Sequence, residues 1–201
     1  MLEPIFGWRD LHIAWVAVRT RYIDDHLASF AQKHPGGFQL VNLGSGLDRL
    51  ECLRDCRAAF EVDLPEVVAA KDRAMHRLGA TAKCPRVGLA VDLTADGNLV
   101  TALRAAGFAE GVPVFWLLEG QSMYLAEAAN GTLLSAAAAL SPPGSIVCVG
   151  FIGDASKAPS SAPFSPEPAA FAALLARCGW GELSWARFGD PALHFGRWPE
   201  G

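Results

Sequence analysis

The chain has 201 residues, a length that suits one domain, and 51% of them are hydrophobic while only 19% are charged. This composition excludes a disordered chain and allows a sizeable buried core. The net charge of −4, with no basic run anywhere, argues against nucleic acid as a partner, because binding to phosphates needs a concentrated basic surface.

The sequence also lacks the marks of a secreted, membrane-bound or metal-binding protein. Met1–Asp10 does not show the basic-then-apolar layout of a signal peptide, and the apolar stretch Ile13–Val18 falls far short of the ~20 residues that a membrane span needs. The 5 cysteines are scattered, and no further His or Cys pair completes a zinc set. We therefore expect a cytoplasmic protein without a metal site or a membrane contact.

Helical and strand patterns alternate along most of the chain. Residues 8–33 predict a helix, because apolar side chains recur at helical spacing along one face, and a second helix is expected through Leu47, Leu50 and Leu53. Further helices are expected near 66–79, 95–106 and 126–140. Short apolar runs between them predict five strands: Phe38–Leu43, Ala59–Val62, Val87–Val91, Val114–Leu118 and Ile146–Phe151. This alternation predicts a parallel sheet with helices on both faces.

The end of the chain changes this rhythm. After a helical pattern over Phe171–Cys178, two strand-like segments, Leu183–Phe188 and Leu193–Trp198, are separated only by Gly189-Asp190-Pro191. A connection that short cannot be a parallel crossover, so it predicts an antiparallel hairpin. A mostly parallel α/β sheet that ends in such a hairpin is the Rossmann-like, seven-stranded arrangement of class I methyltransferases.

Glycines and acidic residues follow four of the predicted strands where each strand ends. They are Gly44-Ser45-Gly46, Asp63, Asp92 and Glu119. The carboxyl ends of parallel strands share one edge of the sheet, and ligands of open α/β sheets bind there. The glycines allow a close approach of the backbone, and Asp63 has the chemistry to accept hydrogen bonds from both hydroxyls of a ribose. Asp92 is placed to accept from an adenine amine while Leu93 packs against the ring.

Other roles stay open for these residues. Asp63 precedes Pro65 and would also stabilise a helix N-terminus, and Asp92 has a purely structural alternative too. NAD carries the same adenosine, but Arg49 replaces the third glycine of the dinucleotide motif, and Asp48 would repel a pyrophosphate. An acidic rim suits a positively charged sulfonium, so S-adenosylmethionine is favoured over NAD(P) and methyl transfer over a reductase activity.

Several segments, taken together and in order, resemble the leucine carboxyl methyltransferase family, in particular its bacterial branch with polyketide O-methyltransferases. They include VRTRYIDDHL (18–27), VNLGSGLD (41–48), FEVDLPEVVAAK (60–71) and LLEGQSMYL (117–125). The resemblance implies a helical cap segment over residues 1–37 and a methyltransferase domain over 38–201. It also implies a set of cofactor contacts: Arg19 to the methionine carboxylate, Gly44 with Ser45 and Gly46 to the cofactor, Asp63 with Leu64 to the ribose, Asp92 and Leu93 to the adenine, and Glu119 with Gly120 to the methionine amino group.

The acceptor side is less defined. The resemblance places Tyr124 towards the acceptor, while Gln121 and Ser122 stand where the bacterial branch often has leucines. The histidines offer no convincing general base, and His12 is the only one placed where it could reach an acceptor at all. An ionised carboxylate needs no general base, whereas a phenol benefits from one. We therefore predict O-methylation of a carboxylate (or phenol) of a small molecule. The alternative is a protein that binds the cofactor without catalysis. Because few residues precede Arg19, a second subunit in a homodimer is a possible source of further cover.

Overall fold

Five parallel strands form the sheet at the centre of the protein. The computed structural model describes residues 8–47, 55–94, 98–154, 156, 158–188 and 190–197. The strands are β1 (Phe38–Leu43), β2 (Cys56–Asp63), β3 (Arg86–Ala90), β4 (Val114–Leu118) and β5 (Ile146–Val149). Their spatial order is β3-β2-β1-β4-β5, and every neighbouring pair is parallel. The order reverses between β1 and β4, which is where open α/β sheets form a ligand crevice.

The strands β1 and β4 are buried along their whole length because both of their faces are covered. This burial is expected for parallel strands between two helical layers. β1 nevertheless contains two buried polar residues, Gln39 and Asn42. The Gln39 carboxamide bonds to the backbone of Ala109: its Nε2 donates to the carbonyl at 2.9 Å and its Oε1 accepts the N–H at 2.8 Å. The core therefore fixes the register of the strands that carry the site.

Helices cover both faces of the sheet. They are α1 (Trp8–Lys33), α2 (Pro65–Leu78), α3 (Asn98–Ala105), α4 (Glu127–Ala139) and α5 (Pro168–Arg177). On one face, Ile23, Leu27 and Phe30 of α1 pack with side chains of β1, β2 and β4. The other face carries α3 and α4, whose Leu103 and Leu133 belong to the largest core cluster. No helix in the described part of the chain is both long enough and apolar enough to cross a membrane.

A buried ion cluster fastens α2 to the sheet. The carboxylate of Glu61 on β2 lies 3.0 Å from Lys71 Nζ and 2.6 Å from Arg86 Nε, and a second oxygen acceptor for Arg86 comes from Asp72 at 2.7 Å. Burial opposes the charge of Arg86, but its hydrogen bonds to Asp72 and Glu61 outweigh this, and its pKa lies above the usual value. Removing one partner of such a cluster would leave buried charge without compensation.

The predicted C-terminal hairpin is wrong. Residues 183–188 have no strand structure, and Pro191–Leu193 forms a short 3-10 turn, so the described part of the chain has five strands rather than seven. Phe195, inside the second predicted strand, adopts a left-handed backbone conformation (φ 50°), which is incompatible with an extended strand. In the first segment, the rings of Trp185 and Phe188 contact Phe151 and Trp15 instead of a neighbouring strand.

The other predicted elements are confirmed within a few residues. The predictions for β1, β4 and α1 match the observed bounds, and β2 is longer than expected by three residues at its start and one at its end. The helix predicted through Leu47, Leu50 and Leu53 falls mostly on residues outside the described part. Leu47 itself lies in a turn.

Candidate active site at the carboxyl edge of the sheet

The register of the strands brings the predicted site residues to one edge. The N–H of Gly44 donates to the Val62 carbonyl at 2.8 Å, and the N–H of Val91 donates to the Asp63 carbonyl at 2.9 Å. The ends of β1, β2 and β3 are thereby level with one another, and Glu119 follows β4 directly. Asp92 and Glu119 thus lie three strand intervals apart, a span of about 14 Å at the usual strand spacing.

Asp63 ties the glycine turn to the end of β2. Its Oδ2 accepts the N–H of Gly46 at 2.7 Å, and its Oδ1 accepts the N–H of Leu64 at 2.8 Å. Leu64 itself is partly exposed at the start of α2, where Pro65 occupies the first helical turn. A carboxylate offers about four lone-pair positions, so these two bonds leave capacity on both oxygens. Asp63 therefore stabilises the backbone of the turn and the helix start, and it also keeps the lone pairs needed to accept hydrogen bonds from the two hydroxyls of a ribose.

The two glycines of the turn have different surroundings. Both need a left-handed backbone, with φ 73° at Gly44 and 51° at Gly46. A Cβ on Gly46 would meet nothing within 4 Å, whereas a Cβ on Gly44 would lie 2.7 Å from Cγ of Gln121. Ser45 between them is buried, and its N–H bonds to the Val62 carbonyl at 3.2 Å. Open space for a ligand is thus found at Gly46, while Gly44 is covered by a side chain.

Two opposite charges meet beside the end of β4. The Nε of Arg19, from α1, contacts Oε1 of Glu119 in an ion pair, and both side chains are largely shielded from solvent. Gly120 follows with φ 67°, and a Cβ there would lie 3.4 Å from Arg19 Nη1. The family resemblance implied that Arg19 binds the methionine carboxylate and Glu119 the methionine amino group. The structure brings these two residues together and pairs them with each other.

Asp92 and Leu93 follow β3 and differ in exposure. Oδ1 of Asp92 accepts the hydroxyl of Thr94 at 2.6 Å and its N–H at 2.8 Å. These two bonds hold the pKa of Asp92 below its usual value, with the hydroxyl as the larger cause. Leu93 is 8% exposed and belongs to the core cluster with Leu99. The carboxylate is thus presented at the rim, whereas most of the leucine is already used in packing.

The turn that carries Tyr124 is fixed by hydrogen bonds from the side chains of Ser122 and Asn130. Ser122 and Tyr124 bound a 3-10 turn, in which the Ser122 hydroxyl donates to the Gly150 carbonyl at 2.7 Å. The buried Asn130 donates from Nδ2 to the carbonyls of Ser122 at 2.9 Å and Leu125 at 3.0 Å. Tyr124 itself is 47% exposed. The role of Asn130 was missed in the sequence, where its one signal is a polar residue inside an alanine-rich helix.

A thiol beside the ion pair was also missed. Burial raises the pKa of Cys148, on β5, to about 11, and the charge of Glu119 adds to the effect. The neighbouring Tyr22 has a raised pKa for the same two kinds of reason, burial first and Cys148 second. At neutral pH both groups are uncharged.

Three residues used in the sequence argument lie beyond what the structure describes. Asp48 and Arg49 fall outside the described residues, and the same holds for the side chain of His12. The described histidines include His34, whose Nε2 lies 3.2 Å from the Gly144 carbonyl on the side where β5 begins, and His26, which stacks on Tyr22. His34 is thus at the edge opposite to the site.

Comparison with known proteins shows which family the chain belongs to. The sequence profile described as leucine carboxyl methyltransferase matches residues 8–138, which include every candidate site residue from Arg19 to Tyr124. The chain belongs to the leucine carboxyl methyltransferase family. The matched range covers the strands β1 to β4 and the glycines and acidic residues that follow them.

Relatives with curated names extend the match. A protein of Mycobacteroides abscessus, named as a candidate S-adenosyl-L-methionine-dependent methyltransferase, is 40% identical over 145 residues, which cover 70% of this chain and 45% of that protein. A protein of Streptomyces coelicolor with the same kind of name is 40% identical over 135 residues, covering 65% of this chain and 43% of that protein. The chain thus spans just under half of the length of these relatives.

Solved structures show the same fold at low identity. Magnesium protoporphyrin IX methyltransferase from Synechocystis, with bound S-adenosylmethionine, superposes with a TM-score of 0.57 at 15% identity and covers 94% of this chain and 81% of that one. Human N-acetylserotonin methyltransferase gives a TM-score of 0.54 at 15% identity, with 76% and 44% covered. The sheet is therefore of the class I methyltransferase type.

Proposed function

We propose that this protein binds S-adenosylmethionine at the carboxyl edge of the sheet and transfers its methyl group to an oxygen of a small molecule. The observation that carries the proposal is the Arg19–Glu119 pair at the same edge as Asp63. A cation and an anion at one end, and a carboxylate with free lone pairs two strands away, complement an amino-acid group and a ribose. The names of the curated relatives support the same cofactor.

The residues present fit this cofactor. The open face of Gly46 leaves room for a ligand next to the Asp63 carboxylate. Asp63 would hold the ribose hydroxyls through the lone pairs that Gly46 and Leu64 leave unused. Asp92, which accepts two hydrogen bonds from Thr94, would accept from the adenine amine one strand further along. A dinucleotide fits less well, because its pyrophosphate would lie beside the Asp63 carboxylate, which already accepts the N–H of Gly46 in the glycine turn.

Binding of the amino-acid group would be an exchange of ion pairs. Arg19 and Glu119 now neutralise each other in a partly dry site. The carboxylate of the cofactor would pair with Arg19, and its ammonium group would pair with Glu119. Neither of the two buried charges would then be unpaired in the complex. Such an exchange limits the desolvation cost that a single unpaired charge would impose.

The chemistry asks the protein for alignment rather than for proton transfer. When bound, the cofactor would supply a methyl group on a positively charged sulfur. An oxygen nucleophile would attack the methyl carbon in line, forming a C–O bond while the C–S bond breaks and the sulfur leaves as a neutral thioether. The turn fixed by Asn130 and Ser122 would hold Tyr124 against the acceptor and exclude water from the reacting atoms. A carboxylate acceptor is already ionised at neutral pH and needs no base. We therefore place a carboxylate ahead of a phenol.

The proposal is tested by calorimetric titration of the protein with S-adenosylmethionine, S-adenosylhomocysteine and NAD, followed by transfer of labelled methyl groups to a panel of small carboxylic acids and phenols. We expect binding of both sulfur compounds and not of NAD, with label appearing in methyl esters. Tight binding of NAD alone would establish the reductase alternative. Binding without transfer to any acceptor would favour the alternative of a cofactor-binding protein without catalysis.

A further inference from the structure

A side chain outside the expected set of cofactor contacts lies over the glycine turn. Gln121 extends across Gly44 so that an ideal Cβ on that glycine would lie 2.7 Å from Cγ and 2.8 Å from Oε1 of the glutamine. Any ligand that approaches Gly44 from this direction therefore meets the carboxamide of Gln121 first. The glycine is needed here to admit Gln121, not only to admit a ligand.

The backbone of Gln121 is held in place, and its carboxamide has no polar partner in the described part of the chain. The backbone carbonyl of Gln121 accepts the N–H of Tyr124 at 3.0 Å, and the turn that follows is anchored by Ser122 and Asn130. The side chain is only partly buried, so the carboxamide keeps contact with water. A ligand bound over Gly44 would displace that water and would have to supply hydrogen bonds in its place. A leucine would fill the same space without that requirement.

The position of Gln121 assigns it to one end of the proposed cofactor. It follows Glu119 and Gly120 in the chain, and Gly120 lies 3.4 Å, measured from an ideal Cβ, from Arg19 Nη1. Gly44 ends β1, the strand next to β4, whereas Asp63 and Asp92 follow β2 and β3 on the other side. We propose that the carboxamide of Gln121 hydrogen-bonds the amino-acid portion of the bound cofactor and takes no part in holding the nucleoside. This inference rests on the proposed function.

Two ligands separate the two ends of the cofactor in a binding experiment. S-adenosylhomocysteine carries the amino-acid portion, whereas methylthioadenosine has the same nucleoside and sulfur without it. We expect Gln121→Leu to weaken S-adenosylhomocysteine about five- to tenfold in calorimetric titration and to leave the Kd of methylthioadenosine within twofold. Equal weakening of both ligands, or no change for either, would overturn the assignment.

Controls keep this result separate from folding and from the proposed function. Gln32→Leu makes the same change at an exposed position near the end of α1 and should alter neither Kd. Gln121→Leu should keep the thermal midpoint of the wild type, because leucine fills the space over Gly44. A wild-type protein that binds neither ligand would refute the proposed function itself, whereas a wild type that binds both with an unaffected variant would refute only the role of Gln121.

Discussion

The carboxyl edge of the sheet and the C-terminal tail (residues 183–197) are built on different principles. At the edge, Asp63, Asp92 and Glu119 each follow a strand whose register is fixed by backbone bonds, and the two strands β1 and β4 are buried along their whole length. The tail has no ladder and depends on single ring contacts: Trp185 lies 5.4 Å from Phe151, and Phe188 lies 5.5 Å from Trp15, measured between ring centroids. Contacts of the second kind can be removed one at a time.

This difference shows which part of the molecule can position side chains with precision. Main-chain bonds between strands position Asp63, Asp92 and Glu119 without help from the tail. The tail nevertheless reaches α1 close to Arg19, since Arg197 Nη1 donates to the Ala17 carbonyl at 3.1 Å and Phe195 faces Arg21. We expect changes in the sheet to alter stability and cofactor affinity strongly, and changes in the tail to alter both only slightly.

The largest effect is expected from the buried ion cluster of the sheet. Glu61→Ala removes the shared acceptor of Lys71 and Arg86 and should lower the free energy of unfolding by about 3–5 kcal/mol, measured by urea denaturation. The matched control is Glu110→Ala, which breaks the exposed pair with Arg104 and should cost less than about 1 kcal/mol. Equal costs for the two variants would remove the contrast between buried and exposed parts.

A smaller but specific effect is expected at the edge itself. Asp63→Ala should weaken S-adenosylhomocysteine at least tenfold, or about 1.4 kcal/mol, because both the ribose acceptor and the anchor of the Gly46 N–H are lost. Asp63→Asn keeps one acceptor oxygen and should fall between the wild type and the alanine variant in calorimetric titration. Unchanged affinity in the alanine variant would show that this carboxylate serves only the turn.

In the tail, a single aromatic residue should matter less. Trp185→Ala removes an edge contact with Phe151 from a side chain that is 48% exposed, and should cost about 1 kcal/mol of unfolding free energy. The Kd of S-adenosylhomocysteine should stay within twofold of the wild type. A loss of stability as large as that of Glu61→Ala would mean that the tail is as integral as the sheet, and the comparison above would fail.

The smallest effect is expected at Asp92, at the same edge of the sheet. Thr94→Val removes the larger of the two hydrogen bonds that hold the pKa of Asp92 down, so this pKa should rise towards its usual value in an NMR titration. Because a lowered carboxyl pKa adds stability above the unfolded value near 3.9 and loses it as pH falls, the variant should lose a little of its stability advantage at neutral pH over acid pH. Thr132→Val, on α4, should leave the Asp92 pKa unchanged.

Continuous apolar runs explain why the sheet was predictable from the sequence. Strands buried on both faces have mostly hydrophobic sequences, and the predicted bounds of β1 and β4 match the structure to the residue although Gln39 and Asn42 interrupt β1. The edge followed, because a glycine or an acid directly after each run can only lie at the carboxyl end of a parallel strand. The family motifs then named Arg19 on α1, which periodicity alone could not connect with Glu119.

The tail and the pairing of side chains were not predictable in this way. Two strand-like segments with a three-residue connection predict a hairpin, and no local rule reveals that Phe195 in the second segment adopts a positive φ. Nor does the sequence tell that Gln121 fills the space over Gly44, since this depends on how the β4 end stands against the β1 end. Long-range geometry of this kind is set by the whole fold.

A crystal structure of the protein with S-adenosylhomocysteine tests the central claim most directly. The claim predicts a single bound ligand along the carboxyl edge, with ribose hydroxyls within hydrogen-bond distance of Asp63, the adenine beside Asp92, and the amino-acid group between Arg19 and Glu119 in place of their mutual contact. A ligand bound elsewhere, or an Arg19–Glu119 pair that stays closed while these carboxylates face separate cavities, would contradict it.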